Sequence, residues 1–171
     1  VLPHVCQMAL KEWASVLVAL ERGEQLVLVR KGGLIEPSSR FELVSDLFLF
    51  YPTFEHQTVN FLRSAAVPYL EAALTRKPPQ GEAHLALGAQ VVSSVQSRDP
   101  TIIERLTPFH IYNDAFVTQR LKWQPEQPVL IAAVRVFRLP APQHLPVLNR
   151  YAGCKSWVEL EQAVPLTGAQ P

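Results

Sequence analysis

The sequence predicts an α+β fold: a mixed, largely antiparallel sheet of about five strands, with helices packed mainly on one face. Three observations predict it. Apolar residues make up 48% of the 171 and charged residues 18%, enough to fill one large core in a chain of single-domain length. Long β-branched runs coexist with segments of helical periodicity. The two kinds do not alternate one for one, which argues against a doubly wound parallel sheet. Curling of the sheet into a partial barrel is compatible with the same order.

Residues 9–21 read as a helix, since Leu10, Trp13, Ala14, Leu17 and Leu20 recur at helical spacing and Gly23 follows as a stop. Gln25–Lys31 is a nearly continuous apolar strand broken by Gly32 and Gly33. Phe41–Leu43 and Leu47–Tyr51 read as further strand, halted by Pro52. The pattern from Gln57 to Leu74 is helical, split by Pro68, which cannot continue the backbone hydrogen bonds. Lys77–Gly81 reads as an exposed linker. His84–Gln96 is a long strand with a bend expected at Gly88. Asp99 and Pro100 have the chemistry of an N-cap and first helical residue. A second short helix is expected over Asn113–Leu121, capped by Asn113 or Asp114. Pro128–Leu139 is the clearest strand; Pro140, Pro142 and Pro146 suggest a rigid crossing, and Ser156–Leu160 a short closing strand. The expected organisation is one domain over residues 8–162, with 1–7 and 163–171 as tails.

Composition narrows the function classes. Net charge is +1, so there is no basic excess of the kind that drives non-specific nucleic-acid binding. Cys6 and Cys154 stand far apart, without zinc-knuckle or redox-pair spacing. No metal-ligand spacing is visible, and no cofactor or metal is expected. No apolar run approaches the ~20 residues of a membrane span. Lys11 and Glu12 interrupt the N-terminal apolar stretch, so no signal peptide is read and a cytoplasmic location is expected.

Several segments could carry chemistry. Arg30 and Lys31 sit at a strand end beside two glycines, where a backbone could approach an anion. Phe50–Gln57 gathers aromatic, hydroxyl, carboxylate, imidazole and amide groups at a strand end, including Tyr51, Glu55, His56 and Gln57. His56 beside Glu55 has the makings of a general base. His110, Asp114, Arg120 and Trp123 fall around the third helical region. Arg135 interrupts an apolar strand, where a charge is paired, at a rim, or on a ligand. Cys154 beside Lys155 is a nucleophile only if a histidine lies nearby in space.

The strings Ala9–Trp13, Leu28–Gly33, Phe48–Gln57, Phe109–Tyr112 with Arg120, and Gly153–Leu160 resemble a bacterial family catalogued as domain of unknown function 1802, over nearly the whole chain. The resemblance implies no catalytic residues. It implies a tie to DNA restriction or defence, by association with restriction-endonuclease-type domains. The leading expectation is a nucleic-acid or modified-base binding module using Arg30, Lys31, Tyr51, His56, Gln57, Arg120 and Arg135. The alternatives are a small hydrolase built on His56 and Glu55 or on Cys154, and a protein-interaction module.

Overall fold

A computed structural model describes residues 2–31 and 41–171. The expected turn at Gly32 and Gly33 lies outside the described residues. The elements run β1 (Val5–Trp13), α1 (Ala14–Glu21), β2 (Val27–Arg30), β3 (Leu47–Thr53), α2 (Val67–Thr75), β4 (Glu82–Ser97), α3 (Ile102–Arg105), α4 (Asp114–Lys122), β5 (Val129–Pro146) and β6 (Trp157–Pro165). The six strands form one open sheet in the order β2-β5-β4-β3-β1-β6. Only β1 and β3 are parallel; every other neighbouring pair is antiparallel. The fold is therefore α+β with a mixed sheet, of six strands rather than five.

Both faces of β1 and β3 are buried, and this explains the first correction. Ala9 is paired with Leu49 on one side and Val158 on the other. Leu10, Phe48 and Phe50 join the larger core cluster, while Ala9, Leu49 and Tyr51 join a second one. A strand buried on both faces is apolar at nearly every position, so Leu10 and Trp13 matched the helical spacing by coincidence. The helix begins only at Ala14, and Gly23 ends it at a φ of 73°.

Other differences have similar causes. Phe41–Leu43 is outside the strands; Phe41 is buried and its ring lies 6.0 Å from that of Trp157. Residues 59–66 form two single 3-10 turns, and Pro68 opens α2 in its first turn, where a missing N–H costs nothing, instead of splitting a helix. Asp99 does not cap α3 directly. Its Oδ1 accepts from the N–H and hydroxyl of Thr101, one turn earlier, at 2.9 and 2.8 Å. Asn113 caps α4 as expected, accepting from the Phe116 N–H at 3.1 Å.

The crossing expected at Pro140, Pro142 and Pro146 is instead the far half of β5, which pairs with β4 through Glu82↔Pro146 to Leu85↔Gln143. Because β2 pairs only with residues 130–133, this half of β5 has a free edge where proline is tolerated. The register shifts between Leu85 and Leu87, opposite Gln143 and Arg138. Gly88 follows that shift. A Cβ there would lie 2.3 Å from Cζ of Phe137, so the ring needs a glycine beneath it. The expected tails enter the sheet: Val5 pairs with Pro165 and Cys6 with Val164, and Leu166 is buried. No described helix is long and apolar enough to cross a membrane.

Candidate functional site

The C-terminal ends of the parallel strands β1 and β3 meet the end of β2 and the last turns of α4. Curling of the sheet is what allows this, since β2 and β1 are four places apart in the strand order. Arg30 closes the gap. Its Nη1 donates to the Lys11 carbonyl at 3.0 Å and to Glu12 Oε2 at 3.2 Å. Its guanidinium also lies 5.1 Å from the Phe41 ring centroid. Glu12 is only 5% exposed, and its other oxygen accepts from the Trp13 N–H at 2.8 Å. Thr53 donates its hydroxyl to the Glu12 carbonyl at 3.2 Å, tying the two parallel strand ends together.

Arg120 approaches from α4, with its guanidinium 4.8 Å from the centroid of the Phe116 ring one turn back. Its Nε is buried and has no hydrogen-bond partner. Burial, and then the neighbouring Arg30 cation, push the Arg120 guanidinium below its ordinary value, against the pull of Tyr112 and Glu12. Among the described residues, Arg30 pairs with the buried Glu12 carboxylate, and Arg120 feels the same carboxylate without a described hydrogen bond to it. Lys31 completes the cationic set. It is 6% exposed and donates from Nζ to the Arg120 carbonyl at 3.1 Å, at the negative end of α4. Burial first and Arg120 second hold its ammonium below the usual lysine range, with Glu126 acting the other way.

An aromatic wall surrounds the cluster. Trp13 stacks on Phe61 at 6.2 Å and meets Phe116 edge-on at 5.7 Å, while Tyr112 and Phe116 stack at 3.8 Å. Burial pushes the Tyr112 hydroxyl far up, so that it stays protonated. Gln57 lies near the start of α1: its Oε1 accepts from the Ser15 N–H at 3.1 Å, and its Nε2 is buried without a partner, as is Ser15 Oγ.

The structure therefore brings Arg30, Lys31 and Arg120 together. It places Tyr51, His56 and Arg135 elsewhere, and Gln57 against Ser15. Tyr51 belongs to the second core cluster, its ring 5.9 Å from that of Tyr151. His56 is exposed in the turn after β3, at a φ of 64°. Arg135 is exposed on β5 opposite Gln90, and no described ion pair or hydrogen bond joins it to the cluster. Sequence reasoning missed Glu12, which looked like a solvated helix residue until β1 took its place.

Of the groups proposed for an enzyme, Cys154 and Glu55 both lie near Lys11, and His110 sits in the core. His110 is a satisfied core histidine: Nε2 meets the Ile103 carbonyl at 2.9 Å and Nδ1 accepts from the Tyr112 N–H at 3.2 Å. Lys11 donates to the Gly153 carbonyl at 3.0 Å and has Lys155, Cys154 and Glu55 as neighbours. Among the described residues no histidine bonds to Cys154 or Glu55. A hollow of about 630 Å³ runs along the outer side of α4 beside Asp114, Thr118 and Trp123, and its described lining does not include Arg120. We place the candidate site on the buried charges rather than on this hollow, because only the former hold an unsatisfied polar group. A third group, Glu82 with His84 and His144, has metal-ligand chemistry and lies at the far end of β4 and β5.

No curated protein matches the chain. Among solved structures it is similar to the crystal structure of a mutant of the ZmASCH protein from Zymomonas mobilis, at 12% identity and a TM-score of 0.49, covering 94% of this chain and 92% of that one. A likeness at that level assigns neither residues nor activity. The match to a family model is of another order: it spans residues 9–171, including Glu12, Arg30, Lys31 and Arg120, and the chain belongs to the family described as Domain of unknown function (DUF1802).

Proposed function

We propose that this chain is a binding module for nucleic acid or a modified base, and that the Arg30–Lys31–Arg120 cluster receives an anionic or acceptor group of that ligand. The observation that carries the reading is Arg120, a cation with a buried, unpartnered Nε and a second arginine as neighbour. A buried donor left without a hydrogen-bond partner costs about 1–3 kcal/mol. A phosphate oxygen or the acceptor edge of a base would accept from the Arg120 guanidinium. Arginine suits this role better than lysine, because its planar fork binds such groups in pairs of hydrogen bonds. The near-neutral net charge of +1 favours a local contact over a broad electrostatic footprint. In this reading the module would act as an accessory to a restriction or defence system.

The test is a polarisation titration of labelled single- and double-stranded DNA and RNA oligonucleotides. Saturable binding at low salt, weakening as salt rises, is the expected result. Failure of every oligonucleotide to bind at low salt would end the proposal.

A further inference from the structure

The exposed end of the β4–β5 ribbon holds three side chains that the cationic cluster does not use. Glu82 and His84 are two apart on β4 and so share a face. His144 is the β5 residue directly opposite His84. The two imidazole rings stack at 3.9 Å with 28° between their planes, and Glu82 Oε2 lies 3.0 Å from His84 Nε2. Ala83 and Leu85, between and beyond them on β4, are buried in the second core cluster, so the strand fixes the backbone of the group while its side chains face outward.

One ligand atom from each of the three residues lies within 4.8 Å of the other two. Tetrahedral zinc, with bonds of about 2.0–2.1 Å to histidine nitrogen, needs ligand atoms roughly 3.3 Å apart. The Glu82–His84 separation already meets that spacing. Side chains of which two are exposed and the third half-buried can close the remainder by small rotations.

We propose that Glu82, His84 and His144 bind one borderline divalent cation, with zinc as the reference ion. Two imidazoles and one carboxylate favour zinc, nickel or copper over magnesium or calcium, which prefer all-oxygen sets. Three protein ligands leave the fourth position open to water or another group. The ion would also act as a cross-strand staple. It sits beyond the register shift between Leu85 and Leu87, near the end of the β4–β5 pairing. The reading stands apart from the nucleic-acid proposal, and neither depends on the other.

Calorimetric titration of the full chain with zinc alone, in a Cys154→Ser background that removes the exposed thiol, tests it. One equivalent should bind near neutral pH. His84→Ala and His144→Ala should each weaken binding by about tenfold or more, and affinity should fall as pH is lowered, because protons compete with the metal for its ligands. Amide exchange at Ala83 and Leu85 should slow when zinc is added. X-ray absorption of the zinc-loaded Cys154→Ser chain should show two imidazoles and an oxygen, and this readout needs no ligand variant to fold. Absence of a binding heat, unchanged affinity in both histidine variants, or a zinc shell with one imidazole or none would each overturn the proposal.

Discussion

Two regions of this molecule use similar ingredients and reach opposite arrangements. At one end of the sheet, Glu12, Arg30 and Arg120 combine one carboxylate with two cations, and Glu12 is 5% exposed. At the far end of β4 and β5, Glu82, His84 and His144 combine one carboxylate with two imidazoles, and the Glu82 side chain is 47% exposed. Water satisfies the open group whether or not a ligand is present. In the closed group the Arg120 Nε is buried without a hydrogen-bond partner among the described residues. Burial, rather than residue type, decides how much a missing partner costs.

Removing the carboxylate from each group gives the largest contrast. Glu12→Gln removes the buried carboxylate that pairs with Arg30 and should cost about 3–5 kcal/mol, read from urea denaturation. Glu82→Gln should change stability by less than about 0.5 kcal/mol without metal. Equal costs would erase the comparison.

The next largest effect separates a structural from a binding role for Arg120. Arg120→Met removes the guanidinium with its unpartnered Nε and keeps the apolar contact with Phe116. It should leave stability unchanged or raise it by about 1 kcal/mol or more. A loss of several kcal/mol would mean that Arg120 holds the fold together instead.

The smallest expected effect concerns His110. Burial, and secondarily Arg63, keep its imidazole below the ordinary histidine value, although the contact with the Ile103 carbonyl opposes them. Between its folded value and about 6.5, the unfolded chain binds more protons than the folded one. Stability should therefore fall as pH drops below about 6.5. A His110→Gln variant, measured by denaturation between pH ~7 and ~5, should lose part of that slope. An unchanged slope would place the titration elsewhere.

Much of the fold was legible in the sequence because the long strands β4 and β5 carry β-branched runs and α4 carries its cap at Asn113. The start of the chain was not. Leu10, Trp13, Ala14 and Leu17 satisfy a helical period, and only pairing with Leu49 and Val158 shows that Ala9–Trp13 is strand. That misreading hid Glu12. Arg30, Lys31 and Arg120 could be named as candidates from their residue types and positions, yet their convergence depends on a sheet curl that no local pattern encodes. Tyr51 was misplaced for a related reason: on a strand buried on both faces, neighbouring residues enter different clusters. His84 and His144 are far apart in the chain and become neighbours only through the β4–β5 register.

The central claim is that the Arg120 guanidinium serves a bound anion. Its most direct test is the salt dependence of oligonucleotide affinity, measured side by side for the native chain and Arg120→Met. Loss of one phosphate contact should weaken binding at every salt concentration and reduce the slope of log K against log salt by about one. Two superimposable lines would contradict the account and return Arg120 to the interior of a domain that binds elsewhere.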